Sequence, residues 1–284
     1  MPENIFIPSY QQIKGDVKSA IEHGKCKPKE QIPTGPELSA KYSVSQAQET
    51  AMSACSVTLT ANAGVILEWN QHTIWIDALH TEQVPGFSAV RPADWKRMRQ
   101  TLPPPELLCF THCHPDHYSF RLVSEARSLW PDAAIALPRQ DFAQQLLISG
   151  EETRLSQDGM TLRFLRLPHE GPDYQNEPHY GLLLSDHTTH ILIPGDCETA
   201  SPSLLKRLDG LPIDLAILNF PWITLRKGRR CLEDVLRPRH LMLCHLPFAE
   251  DDANGYLDAA LRAARTIDLP DVRLLTRPLQ REEL

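Results

Sequence analysis

Between Thr111 and His117 the chain places His112, His114, Asp116 and His117, four side chains able to bind a cation. In extended or turning backbone, residues two apart project to the same side. His112 and His114 can therefore offer their imidazoles to one point while Cys113 faces away. Pro115 tightens the turn that delivers Asp116 and His117. Imidazole and carboxylate together suit Zn²⁺ and also accept Fe or Mn, and ions so held polarise a carbonyl or phosphoryl oxygen and supply hydroxide at neutral pH. The preceding run 107–110 is apolar and ends at Thr111. That sets the cluster just beyond the carboxyl end of a buried strand, where α/β folds place their sites.

The segment Thr111-His112-Cys113-His114-Pro115-Asp116-His117 resembles the HxHxDH signature of the metallo-β-lactamase superfamily. The resemblance covers roughly residues 55–284 and implies an α/β fold, the four-layer αββα sandwich with a metal site along one edge. It also implies ligands downstream: His169 in Leu167-Pro168-His169-Glu170-Gly171, Asp196 in Ile193-Pro194-Gly195-Asp196, and His245 in Leu243-Cys244-His245. On this reading His112, His114 and His169 hold one metal, Asp116, His117 and His245 a second, and Asp196 bridges them. His179 competes with His169, but Glu170-Gly171 after His169 fits the family pattern better. Asp77, at the end of a predicted strand, resembles a family aspartate that supports a metal-binding histidine through a hydrogen bond. His80 receives no role. Cys109, Cys113, Cys197 and Cys244 read as small buried hydrophobes beside the ligands.

The implied cofactors are two divalent ions, Zn first, with Fe or Mn as alternatives. The implied activity is hydrolysis by a metal-bridging hydroxide, with Asp116 orienting the nucleophile and receiving the proton of the water from which it forms. Tyr118-Ser119-Phe120 after the motif resembles the lactonase and phosphodiesterase branch more than the thioesterases, pointing to an ester, lactone or phosphodiester. The alternatives are an iron-dependent oxygen-using enzyme and a non-catalytic metal-binding scaffold. After the predicted strand 214–219, Arg226, Lys227, Arg229 and Arg230 crowd together. Arg226 and Lys227 are candidates to hold an anionic group of a small-molecule substrate beside an apolar wall of Trp222 or Phe220. The competing reading is a solvated turn paired with Glu233 and Asp234.

These residues need a scaffold, and the pattern supplies one. Strands are predicted at 56–60, 64–69, 73–77, 107–110, 133–136, 161–167, 180–184, 191–194, 214–219, 240–244 and 272–275, with a hairpin at Asn70-Gln71-His72. Helices are predicted from Pro92, over 120–130, from Ser201-Pro202 as N-cap and N1, and over 255–265 with a Leu257/Leu261/Ala264 stripe. Residues 1–54 are polar and proline-broken, with two short helices at 13–22 and 37–50, and read as an appendage suited to homo-oligomer contact or to covering the cleft. The net charge of −7 makes nucleic acid an unexpected partner. No run is long and apolar enough to cross a membrane. Seven cysteines without a CxxC pair indicate a reducing, cytoplasmic setting.

Overall fold

The computed structural model describes residues 54–81 and 84–284. The appendage and its two predicted helices lie outside the described residues. The chain next forms three antiparallel strands, β1 (Cys55–Leu59), β2 (Val65–Trp69) and β3 (His72–Ile76). Asn70 and Gln71 link the last two with φ of 52° and 66°, the doubly positive turn that matches the twist of a hairpin. Parallel strands follow: β4 (Leu107–Cys109), β5 (Ala134–Leu137) and β6 (Leu146–Leu147).

The second sheet repeats this plan. Strands β7 (Glu152–Gln157), β8 (Met160–Arg166), β9 (Tyr180–Ser185) and β10 (His190–Ile193) are antiparallel, and β11 (Leu215–Asn219), β12 (His240–Cys244) and β13 (Val272–Leu274) continue parallel to β10. The closing strand β14 (Arg281–Glu283) returns to pair with β1, so the sheet orders are β14-β1-β2-β3-β4-β5-β6 and β13-β12-β11-β10-β9-β8-β7.

Alternation along β11 and β12 shows how the layers form. Leu215, Ile217, Met242 and Cys244 enter the core that also takes Val57, Val65 and Leu67 from the first sheet, whereas Ala216, Leu218, Leu241 and Leu243 face a second core. Helices α1 (Pro92–Thr101) and α2 (Phe120–Leu129) add Trp95, Met98, Leu122, Val123 and Ala126 to the first core. Helices α3 (Pro202–Leu208), α4 (Pro221–Thr224), α5 (Arg226–Cys231) and α6 (Tyr256–Ala264) surround the second. Two mixed sheets with helices outside them form the expected αββα sandwich. No described helix is long and apolar enough to cross a membrane.

Three strands escape the sequence pattern. Glu152–Gln157 is an exposed edge without clean alternation, Arg281–Glu283 is all charged, and Leu146–Leu147 has two residues. Pairing with a neighbour makes each of them a strand, not its own propensity. Two helix details also differ from expectation. Ser201 precedes Pro202 as predicted but its hydroxyl caps no N–H. In α6 the packed face is Tyr256, Ala260, Ala263 and Ala264, while Leu261 is exposed.

Candidate metal centre

Every proposed ligand lies just past the carboxyl end of a strand. His112, His114, Asp116 and His117 follow β4; His169 follows β8, Asp196 follows β10 and His245 follows β12. Strands β3 and β4 run parallel, as do β10, β11 and β12, so their ends gather on one edge of each sheet. Backbone bonds lock the two edges together: Tyr180 N donates to Thr111 O (2.9 Å), and His245 N to Asn62 O (2.8 Å). Asp77, Asn62 and His245 all occupy the left-handed region, with φ of 50°, 50° and 56°. Such positions cost free energy in non-glycine residues and mark places where the fold imposes a side-chain direction. Gly195 has φ of 58°, and a Cβ there would lie 2.9 Å from both Thr111 and His179, so this turn into Asp196 admits only glycine.

The ring nitrogens converge. His112 Nε2 is 3.0 Å from His114 Nδ1 and 3.4 Å from His169 Nε2; His117 Nε2 is 3.3 Å from His245 Nε2. Asp196 Oδ2 stands 3.2 Å from both His117 Nε2 and His245 Nε2, and Asp116 Oδ2 is 3.7 Å from His245 Nε2. Three groups result, each compact enough for one ion: His112, His114 and His169; His112, His117 and Asp196; Asp116, His117 and His245.

The opposite ring nitrogens are engaged elsewhere. His112 Nδ1 donates to Thr111 Oγ1 (3.0 Å), His117 Nδ1 to Asp77 Oδ2 (3.0 Å) and His169 Nδ1 to the Glu170 carbonyl (2.7 Å). This fixes the tautomer, leaving each Nε2 lone pair pointing inward. Burial, with His117 nearby, holds His112 well below the usual imidazole range, and burial likewise lowers His114, so both imidazoles are neutral at neutral pH, the form that can bind a cation. Burial disfavours charge at His117 and Asp196 too, but Asp196 and Asp77 raise His117 well above its ordinary value while His245 and His117 hold Asp196 well below its own. A cation bound there would take the place of the His117 Nε2 proton. Inward lone pairs a hydrogen-bond length apart, beside an ionised buried carboxylate, fit a divalent cation.

Asp77 organises this arrangement. Oδ1 accepts from Thr111 N (2.7 Å), and Oδ2 accepts from Thr111 Oγ1 (2.6 Å) and His117 Nδ1. One buried carboxylate thus orients His117 directly and His112 through Thr111. Asp77→Asn is expected to weaken metal affinity by about 10–100-fold, since the amide loses an acceptor. Competition with a chromophoric chelator measures it, and unchanged affinity would remove Asp77 from this role.

Sequence reasoning missed Asn62. Its Nδ2 donates to Asp116 Oδ2 (3.2 Å) and Asp116 O (3.3 Å), while its carbonyl holds His245. The only signal was a polar residue within the small-residue turn Ala61-Asn62-Ala63-Gly64. Asn219, at the end of β11, reaches Asp196 Oδ1 at 3.5 Å. His179 is fully buried with its ring centre 5.2 Å from that of His112, yet it belongs to none of the three groups. Burial drops its pKa to about 3, and Nδ1 donates to the Leu167 carbonyl. His80 is similarly buried and neutral, bound to the Ala61 carbonyl, with burial lowering its pKa to about 4. Burial pushes the Cys113 thiol up to about 12 and raises Cys109, Cys197 and Cys244, so no thiolate competes at the centre.

The expected wall and cation pair need correction. Trp222 has no exposed surface and belongs to the second core, because α4 turns it inward; Phe220 and Pro221 line the cavity instead. Arg226 and Lys227 are exposed on α5 and line no part of that cavity. Lys227 Nζ lies 3.5 Å from Glu170 Oε1 and 3.8 Å from Glu198 Oε1, and Arg229 Nε bonds Glu233 (3.0 Å). Trp222→Ala is expected to cost about 3–5 kcal/mol, as for a large aromatic removed from a core. Urea unfolding checks this, and a loss under about 1 kcal/mol would contradict the packing.

Twin mixed sheets between helices, with a histidine–aspartate cluster at their joined edges, define the metallo-β-lactamase fold, and this chain has it. Among solved structures it is similar to the metallo-β-lactamase fold protein YhfI from Bacillus subtilis, at 13% identity over 82% of this chain and 100% of that one (TM-score 0.57). It is also similar to Igni18, a metallo hydrolase from the archaeon Ignicoccus hospitalis, at 14% identity over 82% of this chain and 99% of that one (TM-score 0.59). The likeness extends to CmlA, a diiron beta-hydroxylase from Streptomyces venezuelae, at 16% identity over 88% of this chain and 60% of that one (TM-score 0.57). No protein-family model and no curated protein matches the chain.

Proposed function

We propose that this protein is a metal-dependent hydrolase that uses two divalent ions, zinc in the first place, to cleave an ester, lactone or phosphodiester bond. The observation that supports it is the convergence of seven nitrogen- and oxygen-bearing side chains from both sheets, of which His114, Asp116, His169, Asp196 and His245 line one open cavity of about 420 Å³ and His112 and His117 lie buried behind them. His112, His114 and His169 would hold one ion, Asp116, His117 and His245 the other, with Asp196 between them. Ions held there supply Lewis-acid polarisation of the scissile group and hydroxide at neutral pH. The chain does the rest. Asp77 and Thr111 orient the imidazoles, and Asn62 aims the Asp116 carboxylate into the cavity. Asp116 accepts the proton of the attacking water and returns it to the leaving group. Hydrolysis of neutral esters and lactones and of phosphodiesters by the metal-loaded protein, with the metal content measured in parallel, tests this reading.

A diiron oxygen-using reading is favoured by one observation, the structural likeness to CmlA. Iron in the purified protein together with oxygen consumption would select it over hydrolysis. All six described cysteines are free, which supports a reducing compartment such as the cytoplasm. Residues 1–50 remain proposed as a homo-oligomer contact, which an unchanged size after their deletion would remove.

Arg226 and Lys227 supply little on this geometry. The double substitution Arg226→Ala and Lys227→Ala is expected to change KM by less than about two-fold, the scale of exposed ion pairs. A larger rise in KM for an anionic substrate, relieved by salt, would restore them as a binding element.

A further inference from the structure

The proposed centre lies at the base of a cavity whose other lining is aromatic and apolar. Phe87 meets the His245 ring edge-on, centroids 4.7 Å apart, and stacks on Tyr256 at 5.7 Å. Tyr256 continues to Phe220 at 4.9 Å. These three rings form an unbroken row beside His245, and all three line the cavity. At the other group of histidines, Tyr174 packs 4.9 Å from His114 and 5.1 Å from His169, and it too lines the cavity. The loop carrying Phe87 is tied to the segment before α6: Ser88 Oγ donates to Asp251 Oδ2 (2.6 Å) and accepts from Phe248 N (2.8 Å), and Gly86, at φ of 85°, packs so closely on Asn254 that a Cβ would lie 2.2 Å from its Nδ2.

The charged side chains described at the cavity are carboxylates, and since the proposed ions would offset Asp116 and Asp196, Glu170 is the charge that stands apart from them. Asp116, Asp196 and Glu170 line the cavity, and among the described residues no lysine or arginine does. Lys227, the cation that approaches Glu170, is shared between Glu170 and Glu198 at the rim. An anionic group remote from the scissile bond would therefore face ring surfaces, whose π clouds are negative, or the Glu170 carboxylate. An uncharged aromatic or similarly flat apolar group would instead gain burial and edge or offset contacts with the rings.

We propose that Phe87, Tyr256, Phe220 and Tyr174 form a recognition wall that selects substrates with an uncharged aromatic or flat apolar group next to the hydrolysed bond. This rests on the hydrolase reading for the bond, but not for the wall, and it replaces the small anionic substrate expected from the basic run.

The test uses two probes that share a metal-binding head, 3-phenylpropionohydroxamic acid and succinic monohydroxamic acid. They differ only in a phenyl or a carboxylate tail. Calorimetric titration of the full-length, metal-loaded protein is expected to show the phenyl probe binding at least about ten-fold tighter. Phe87→Ala and Phe220→Ala, both at partly exposed positions, should each shrink that preference several-fold at unchanged metal content, and Phe87→Leu should retain part of it. Equal or tighter binding of the carboxylate probe, or a preference untouched by both alanine variants, overturns the wall. Failure of both probes to bind protein shown to carry metal overturns it as well. Absence of hydrolysis with the phenyl preference intact would count against the hydrolase reading alone.

Discussion

Removal of metal by a strong chelator is expected to bring hydrolysis down to the uncatalysed rate, and readdition of zinc, manganese or iron to restore it. The reason lies in what the chain lacks as much as in what it holds. No described serine or cysteine at the cavity is placed to act as nucleophile: the lining residues carry neither type, and the buried thiols are protonated. Asp116 can move a proton but cannot polarise a scissile carbonyl. General acid–base help alone is worth about 10²–10⁴-fold, far below the 10⁶-fold or more typical of enzymes. The loss on chelation should therefore exceed what any single side-chain substitution produces.

Stability should report the same event independently. A ligand present at 100 times its Kd stabilises the folded state by about 2.7 kcal/mol, so chelation should lower Tm by several degrees. The seven donors come from both sheets, and their ions would tie the sheets together at one edge. Full hydrolytic activity in protein shown by elemental analysis to be metal-free would end the metal-dependent reading. An unchanged Tm would show that the donors do not cross-link the sheets through metal.

Much of this centre was legible before any coordinates, and its legible part shares one property. His112, His114, Asp116 and His117 sit so close in sequence that local geometry alone brings them near one point. The resemblance built on them pointed to His169, Asp196 and His245, which the fold brings to the same edge. Short apolar, β-rich runs bounded by polar residues likewise marked β2, β3, β9 and β11. What could not be read depends on distant neighbours. Asn62 matters because it meets Asp116 and His245, residues 54 and 183 positions away, and nothing in its own surroundings announces that. Trp222 looked like a wall because aromatic residues after a strand end often are. A one-turn helix rotated it into the core and left Phe220 at the cavity. The edge strands β7 and β14 become strands only through pairing, so propensity could not reveal them.

Asp116→Asn is expected to lower kcat by about 10²–10⁴-fold while leaving the fold intact. The carboxylate lines the cavity, is nearly buried, and takes a hydrogen bond from Asn62 Nδ2 at Oδ2, the oxygen nearest His245. An asparagine of the same shape can still present an oxygen to Asn62, so the bond that fixes the side chain survives, along with the backbone bond from Asn62 to the Asp116 carbonyl. Two capacities are lost: holding a proton at that oxygen, and contributing negative charge beside His117 and His245. The first lowers kcat whatever metal is supplied. The second weakens the metal and is overcome by raising its concentration. Measuring kcat at saturating zinc separates them, because a defect that persists there belongs to proton transfer. Asn62→Ala serves as the comparison: it leaves the carboxylate but frees its direction, and should cost less than Asp116→Asn in kcat. Near-parental turnover in Asp116→Asn at saturating metal would take Asp116 out of the proton path and leave it a ligand only.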